Sequence, residues 1–311
     1  MIINNVYFCV KIRKYIKKYN QHTRMASKRI PYCILILLSC SLLTQAQNKR
    51  ALLVGISQYG NNTGWKNIHG ANDVDLMKSV LKGFSIRELK NANATYDNII
   101  KELNYLTKKT KEGDIVYIHF SGHGQPFEDI NGDEQDGWDE SFIPFDAHLY
   151  YEQNVYSGNK HLTDDILNTY LIKIRNKIGE HGILYVTIDA CHAGNSYRES
   201  EEDIYRGTGK GFSKNNKIYK VPKTQKRYYN IDDIRGYSPI VMLEACQSHQ
   251  RNTEVYIKDT YYGPLTYAIY KTLQTQSIDK QAKWTKNLDS TMQDLLPSWN
   301  RQKMVVECSI K

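Results

Sequence analysis

The sequence predicts an α/β fold: a mainly parallel sheet with helices on both faces. Runs of apolar and β-branched residues, typical of buried strands, alternate along the chain with amphipathic helical segments. This alternation favours parallel strands, because each parallel pair needs a crossover connection that a helix can supply. Two of the strands run into short stretches of small and chemically reactive residues, where α/β proteins place their sites.

The predicted elements start at the first buried run. In chain order they are a strand at 51–56, a helix from Asn72-Asp73, a short strand at 85–89, a helix at 94–106, strands at 114–120 and 142–145, a helix at 163–177, strands at 183–188 and 239–245, and helices at 261–273 and 290–296. Two stretches interrupt the alternation. The stretch 128–140 is acidic and rich in turn residues, and 196–237 is a long basic loop.

Residues 1–46 form a candidate leader with a signal peptide. Lys28 and Arg29 precede an apolar run at 30–43, and Thr44-Gln45-Ala46 ends with small residues two apart, as a signal peptidase requires. The run is shorter than the roughly 20 residues of a membrane span. We therefore expect an exported protein, periplasmic or secreted, with no permanent membrane span. Lipid anchoring through Cys40 is the alternative, and Met25 is an alternative start to Met1.

The net charge of +9 belongs to this leader. Residues 1–46 hold eight of the 42 Lys and Arg residues and no Asp or Glu, which leaves 34 basic against 33 acidic residues. We expect 47–311 to form one domain, since its length supports a single large core. A nearly neutral domain gives no reason to expect nucleic acid as a partner.

Two strand ends carry the residues that suggest catalysis. Ser121-Gly122-His123-Gly124 follows one strand, and Asp189-Ala190-Cys191-His192 follows another. A thiol beside an imidazole forms a nucleophile and base pair. The backbone amides of Gly124 and Cys191 are candidate donors to an oxyanion.

Five motifs in one order extend this pair over residues 49–275. They are Ala51-Leu-Leu-Val-Gly-Ile, the block Gly113 to Gly124, Asn131-Gly-Asp-Glu-Gln-Asp-Gly-Trp-Asp-Glu, Leu162-Thr-Asp-Asp and Asp189-Ala-Cys-His-Ala-Gly. Together they resemble a metacaspase. The resemblance implies a caspase-like three-layer sandwich and a monomeric cysteine endopeptidase with His123 and Cys191 as its dyad.

The resemblance also implies protein or peptide substrates cleaved after Arg or Lys. Asp73, Ser121 and Asp189 match substrate-pocket positions of the family, and Glu254 is a further candidate where the family more often has Asp. Carboxylates bind a guanidinium through charge-assisted bonds. Asp73 alone also suits a helix N-cap.

The basic loop is rich in the residues that such a pocket accepts. Self-cleavage after one of its Lys or Arg residues is therefore a hypothesis, and a solvated basic loop is the alternative.

A calcium site is a further expectation. Asp139, Asp164 and Asp165 match positions through which many metacaspases respond to Ca²⁺, and clustered carboxylates suit this hard cation. The sequence requires no cofactor, and Ca²⁺ dependence stays open because Thr163-Asp164 also suits a helix cap.

A second class of function fits the same residues. A non-catalytic caspase-like module would bind basic peptides through the acidic pocket without cleaving them. Hydrolysis that depends on Cys191 distinguishes the enzyme from the module.

Overall fold

The computed structural model of the protein describes residues 48–192, 203–223, 225–298, 300 and 302–310. The predicted leader, with Cys40 and Met25, and residues 196–202 of the basic loop lie outside these residues. No helix within the described ranges is long and apolar enough to cross a membrane.

A seven-stranded sheet forms the centre of the domain, accompanied by a three-stranded sheet and a hairpin. The strands are β1 (Lys49–Gly55), β2 (Phe84–Lys90), β3 (Ile115–Ser121), β4 (Gly124–Glu128), β5 (Trp138–Phe142), β6 (Leu162–Thr163), β7 (Ile183–Asp189), β8 (Tyr228–Asn230), β9 (Ile240–Glu244), β10 (Val255–Ile257), β11 (Thr260–Tyr262) and β12 (Val305–Cys308). The central order is β2-β1-β3-β7-β9-β12-β8. The first five strands are parallel and β12 runs antiparallel to β9, so the prediction of a mainly parallel sheet is confirmed.

Five helices flank the sheet. They are α1 (Gly70–Val80), α2 (Tyr96–Lys109), α3 (Asp164–Ile178), α4 (Pro264–Leu273) and α5 (Leu288–Gln293). Thr95 and Thr163 cap α2 and α3, each accepting a hydrogen bond from the backbone amide three residues on. Pro264 begins α4, where its fixed φ and missing N–H are tolerated.

The core lies on both faces of the sheet. Adjacent residues of a strand point to opposite faces, so Leu52 packs in one cluster and Leu53 in the other. The first cluster contains buried residues of α2 and α3, and the second contains those of α1, α4 and α5. The result is the predicted three-layer sandwich.

A strand and a loop are among the sequence-based assignments that were wrong in detail. The strand expected at 142–145 runs instead from Trp138 to Phe142, because its residues pair with β4 and Pro144 has no N–H to continue a ladder. The stretch 196–237 is not wholly a loop. Within its described part β8 joins the edge of the central sheet, and Phe212 is buried.

Candidate active site

The two reactive motifs meet at one edge of the sheet. β3 and β7 are parallel neighbours, and their last residues, Ser121 and Asp189, are directly paired. The hydrogen bonding between the two strands extends one residue farther, because the amide of Gly122 donates to the carbonyl of Asp189 at 3.3 Å. His123 and Cys191 each follow two residues beyond their strand, so both stand at this carboxyl edge.

The imidazole of His123 is held from several sides. Its Nε2 lies 2.9 Å from the carbonyl oxygen of Lys66. Trp65 stacks on the ring, with centroids 4.8 Å apart and planes at 27°. The backbone amide of His123 donates to the hydroxyl of Tyr59 at 2.8 Å. The ring is thereby fixed in position and tilt.

These contacts also determine which ring nitrogen carries the proton. A carbonyl oxygen can only accept, so Nε2 carries the proton in the neutral ring and Nδ1 carries the lone pair. Nδ1 is buried and has no hydrogen-bond partner in the described chain. Burial lowers the pKa of His123 to about 4, against smaller opposing effects of the Lys66 carbonyl and Glu254. At neutral pH the ring is therefore neutral, with its lone pair at Nδ1.

Cys191 is buried, with 1% of its surface exposed. Its thiol donates to the carbonyl of Gln250 at 2.9 Å and packs against Cys246 and Val221. The hydrogen bond with Cys191, and then burial, raises the pKa of Cys246 well above its usual value. Cys246 therefore stays a neutral thiol. None of the cysteines in the described ranges forms a disulfide.

One residue that the sequence reasoning missed occupies the centre of the site. The carbonyl oxygen of Arg206 accepts hydrogen bonds from the amide of Cys191 at 2.8 Å and from that of Gly124 at 3.3 Å. These are the two amides that the sequence suggested as oxyanion donors. A peptide carbonyl thus lies where an oxyanion would be stabilised.

The side chain of Arg206 lies in the pocket of predicted substrate-binding residues. Its guanidinium is fully buried, and Nη1 donates to Asp73 Oδ2 and to Ser121 Oγ, both at 2.6 Å. On the other side, Nε donates to Glu254 Oε1 at 3.0 Å and Nη2 lies 2.9 Å from the same oxygen. Asp189 Oδ1 is farther, at 3.7 Å from Nη1. The structure therefore brings all four predicted pocket residues around one guanidinium.

The pocket carboxylates are themselves held by neighbouring groups. Asp189 accepts from the amide and hydroxyl of Thr266 and from Asn252 Nδ2, each at 2.7 Å. Asp73 accepts from the amide of Gly263 at 3.1 Å. The amide of His69 donates to Glu254 at 2.8 Å. Each acidic group thus has a fixed orientation before any ligand is considered.

The charges of Arg206 and Glu254 stabilise each other, whereas burial, with repulsion from Asp189, raises the pKa of Asp73 to about 7. Burial opposes the charge of Arg206, but Asp73, Glu254 and Asp189 outweigh burial and raise its pKa. Burial likewise favours the neutral form of Glu254, but Arg206 and then His69 outweigh it and lower that pKa. The buried pair of Arg206 and Glu254 therefore favours the charged form of both groups.

Of the predicted calcium residues, Asp139 lies in β5, whereas Asp164 and Asp165 begin α3. Carboxylate oxygens of Asp139, Asp129 and Asp133 lie within 4.8 Å of one another. Burial, with repulsion from Asp165 and its acidic neighbours, raises the pKa of Asp139 to about 7. Oδ1 of Asp139 and of Asp164 are buried without a hydrogen-bond partner in the described residues. Asp129 and Asp133 belong to the acidic stretch 128–140, but they are not among the residues that match the family's calcium positions.

Comparison with known proteins gives the family. A family model described as "Caspase domain" matches residues 48–304. The chain belongs to the caspase-domain family. This is a family of cysteine-type peptidases.

Curated relatives of this caspase-domain chain are metacaspases. It is 30% identical over 161 residues to metacaspase-1 of Eremothecium gossypii, which covers 48% of the chain and 32% of that protein. It is 29% identical over 271 residues to metacaspase-1B of Neosartorya fischeri, covering 73% of the chain and 61% of that protein. The chain thus spans less than two thirds of the length of these relatives.

A solved structure shares the caspase-like fold. The crystal structure of a protein from Geobacter sulfurreducens superposes with a TM-score of 0.56 at 20% identity. The match covers 84% of this chain and 92% of that one. At this identity the likeness supports the three-layer fold alone.

The contact between Tyr59 and His123 gives a first prediction. Tyr59→Phe removes the hydroxyl that accepts the buried amide of His123 and leaves that amide unsatisfied. We expect the free energy of unfolding to fall by about 1–3 kcal/mol in urea titrations. Tyr256→Phe is the control, because Tyr256 is 60% exposed and its loss should change stability by less than about 0.5 kcal/mol. Equal effects of the two variants would contradict this role of Tyr59.

Proposed function

We propose that the protein is a cysteine endopeptidase that cleaves after Arg or Lys with a His123/Cys191 dyad. The observation that carries the proposal is Arg206, whose guanidinium is buried among Asp73, Ser121 and Glu254 while its carbonyl accepts from the amides of Cys191 and Gly124. A basic P1 residue of a substrate would make the same contacts. The proposal includes self-processing of the chain. That the protein is exported through the leader and that it is a monomer remain predictions from the sequence.

The mechanism uses the groups at the sheet edge. Nδ1 of His123 accepts the thiol proton as the sulfur of Cys191 attacks the P1 carbonyl carbon. The negative charge that develops on the carbonyl oxygen is stabilised by the amides of Gly124 and Cys191. The imidazolium then protonates the leaving amine, and water hydrolyses the thioester.

The alternative function is a non-catalytic module that binds basic peptides through the same pocket. The unpartnered, neutral Nδ1 of His123 favours the enzyme, because a binding module has no use for a buried base. Wild-type protein should hydrolyse an Arg-containing peptide amide, and Cys191→Ala should retain less than about one thousandth of that rate. Retained peptide binding with no turnover in the wild type would favour the module.

The pocket should prefer Arg over Lys at P1. A guanidinium reaches Glu254 and the Asp73/Ser121 pair at once, whereas an ammonium presents its donors at one point. We expect kcat/KM for Arg peptides to exceed that for Lys peptides by about tenfold, or ~1.4 kcal/mol, in a peptide library varied at P1.

Glu254→Gln should reduce this ratio, because it weakens only the contact that arginine adds. Asp259→Asn is the matched control, since Asp259 is an exposed carboxylate on the adjacent hairpin. A ratio unchanged in Glu254→Gln, or reduced equally in both variants, would contradict this assignment.

The pH dependence should follow His123. The pKa of about 4 belongs to the site with an arginine bound, and kcat reports the enzyme–substrate complex. His123 loses its capacity as a base only when the pH falls through that pKa. We expect kcat to hold from neutral pH to about pH 5 and to fall near pH 4. A fall in kcat near pH 6.5, the usual pKa of histidine, would count against a buried neutral base.

We further propose that Ca²⁺ stimulates the enzyme. The supporting observation is the acidic cluster Asp129, Asp133 and Asp139, together with the unpartnered buried oxygens of Asp139 and Asp164. These oxygen donors fit a hard cation. Asp165 would complete the set, and Asn131 already donates to it at 2.6 Å. The hairpin that carries the cluster begins at Gly124, a proposed oxyanion donor.

Calorimetry on the inactive Cys191→Ala chain tests binding apart from activity. We expect Ca²⁺ to bind and Asp139→Asn to weaken binding by about tenfold or more, because one carboxylate ligand is lost. Asp294→Asn, an exposed carboxylate elsewhere, is the control. In wild type, excess chelator should reduce peptide hydrolysis, and Ca²⁺ but not Mg²⁺ should restore it. Activity that is indifferent to the chelator would contradict stimulation.

A further inference from the structure

The segment that contains Arg206 lies in the site as an extended strand. The amide of Arg206 donates to the carbonyl of Asn252 at 3.0 Å. The amide of Glu254 donates to the carbonyl of Ile204 at 2.9 Å. Tyr205 forms an antiparallel bridge with Thr253 between them. Peptides recognised by strand addition bind in this way, with backbone hydrogen bonds for affinity and a side-chain pocket for specificity.

We propose that Arg206–Gly207 is the peptide bond that this chain cleaves in itself, and that the uncleaved segment excludes other substrates from the site. This inference rests on the proposed peptidase function. It goes beyond that function by naming the bond and by making the intact chain a latent form. The arginine side chain, its carbonyl and its backbone amide all make the contacts that a substrate would make.

Gly207, on the leaving-group side, passes very close to the nucleophile's backbone. A Cβ at this position would lie 1.8 Å from the carbonyl oxygen of Cys191 and 2.9 Å from that of Gly124. Only glycine therefore fits while Arg206 occupies the pocket. The next residue, Thr208, donates from its amide to the carbonyl of Gly124 at 3.2 Å.

The segment is anchored beyond this point as well. The amide of Phe212 donates to the carbonyl of Pro126 at 2.7 Å, and its carbonyl accepts from Glu128 at 2.9 Å. Its ring stacks on Phe127, with centroids 5.2 Å apart. The chain is thus held on both sides of the bond. After cleavage, the half that ends in Arg206 loses its connection to the Phe212 anchor, and a substrate can then displace it.

The chemical step balances with water alone. The sulfur of Cys191 bonds to the carbonyl carbon of Arg206, and Nδ1 of His123 takes the thiol proton. The bond from that carbon to the nitrogen of Gly207 breaks, and His123 returns the proton to this nitrogen, which becomes a new amino terminus. Water then cleaves the thioester, leaving a carboxylate on Arg206 and restoring the thiol.

The test follows the full-length chain by intact mass spectrometry, with amino-terminal sequencing and an added Arg-containing peptide amide. Wild type should yield a fragment that begins at Gly207-Thr208-Gly209, at a rate independent of protein concentration. Cys191→Ala should stay intact. Peptide hydrolysis should rise as the fragment appears, by about tenfold or more, because the tethered segment competes at a high effective concentration.

Variants at the proposed cleavage site, with a control elsewhere, distinguish loss of the cleaved bond from a disturbance of the fold. Arg206→Lys keeps a cation in the pocket and should slow the fragment's appearance by about tenfold. Gly207→Ala should stay intact yet hydrolyse the peptide without a lag, because the added methyl group expels the segment. Arg235→Gln is the matched control: Arg235 is exposed and also precedes a glycine, and its loss should leave the cleavage unchanged.

The outcomes distinguish the two proposals. Peptide hydrolysis by an uncleaved wild-type chain, a fragment that begins elsewhere, or a rate proportional to protein concentration would overturn this inference and leave the peptidase function in place. No fragment, and no peptide hydrolysis by wild type or by Gly207→Ala, would instead overturn the peptidase function itself.

Discussion

The site depends on the burial of one guanidinium among three carboxylates. Asp73, Asp189 and Glu254 bring three acidic groups into a pocket that excludes solvent, and Arg206 is the cation between them. An unpaired buried carboxylate costs several kcal/mol, and neighbouring carboxylates repel one another. The pocket is therefore complementary to a guanidinium by electrostatics before shape is considered. The neighbours that donate to these carboxylates, such as Thr266 and His69, keep the acidic groups in place when the cation changes.

The central sheet is what allows distant parts of the chain to build this pocket. Asp73 lies in α1, Ser121 and Asp189 end two paired strands, and Glu254 precedes the β10–β11 hairpin. The same strand ends lead into His123 and Cys191, so the pocket and the reacting groups share one support. Under the proposed function, a substrate side chain that reaches the carboxylates would place its own carbonyl at the amides of Gly124 and Cys191, as Arg206 does.

The sequence could predict much of this arrangement, for a physical reason. Parallel strands place their carboxyl ends at one edge, so two reactive motifs that follow buried strands must come together there. The mainly parallel sheet and the capped start of α3 follow from equally local signals. The strand near Phe142 was misplaced because its position depends on pairing with β4, which is not a local property.

The role of Arg206 could not be predicted in the same way. The basic stretch contains two arginines followed by glycine, Arg206 and Arg235, and nothing in the local pattern tells them apart. Which of the two arginines enters the pocket depends on backbone pairing with 252–254 and on the anchor at Phe212, and both are set by the tertiary fold. The contact between His123 and the carbonyl of Lys66 could not be predicted from the sequence either, because every residue has a carbonyl.

The supports of the Arg206 segment divide at the bond proposed for cleavage. The backbone of Ile204 and Arg206 pairs with 252–254, and the carbonyl of Arg206 also accepts from Gly124, whereas Thr208 and Phe212 pair with β4 alone. β4 also begins with the Gly124 amide and leads into the acidic cluster. A shift of the β4–β5 hairpin would therefore move the Phe212 anchor and the proposed oxyanion donor Gly124 together. Breaking the chain at Gly207 lets Arg206 and the anchor separate, because the peptide bond between them is the covalent link that holds Arg206 to the hairpin's anchor.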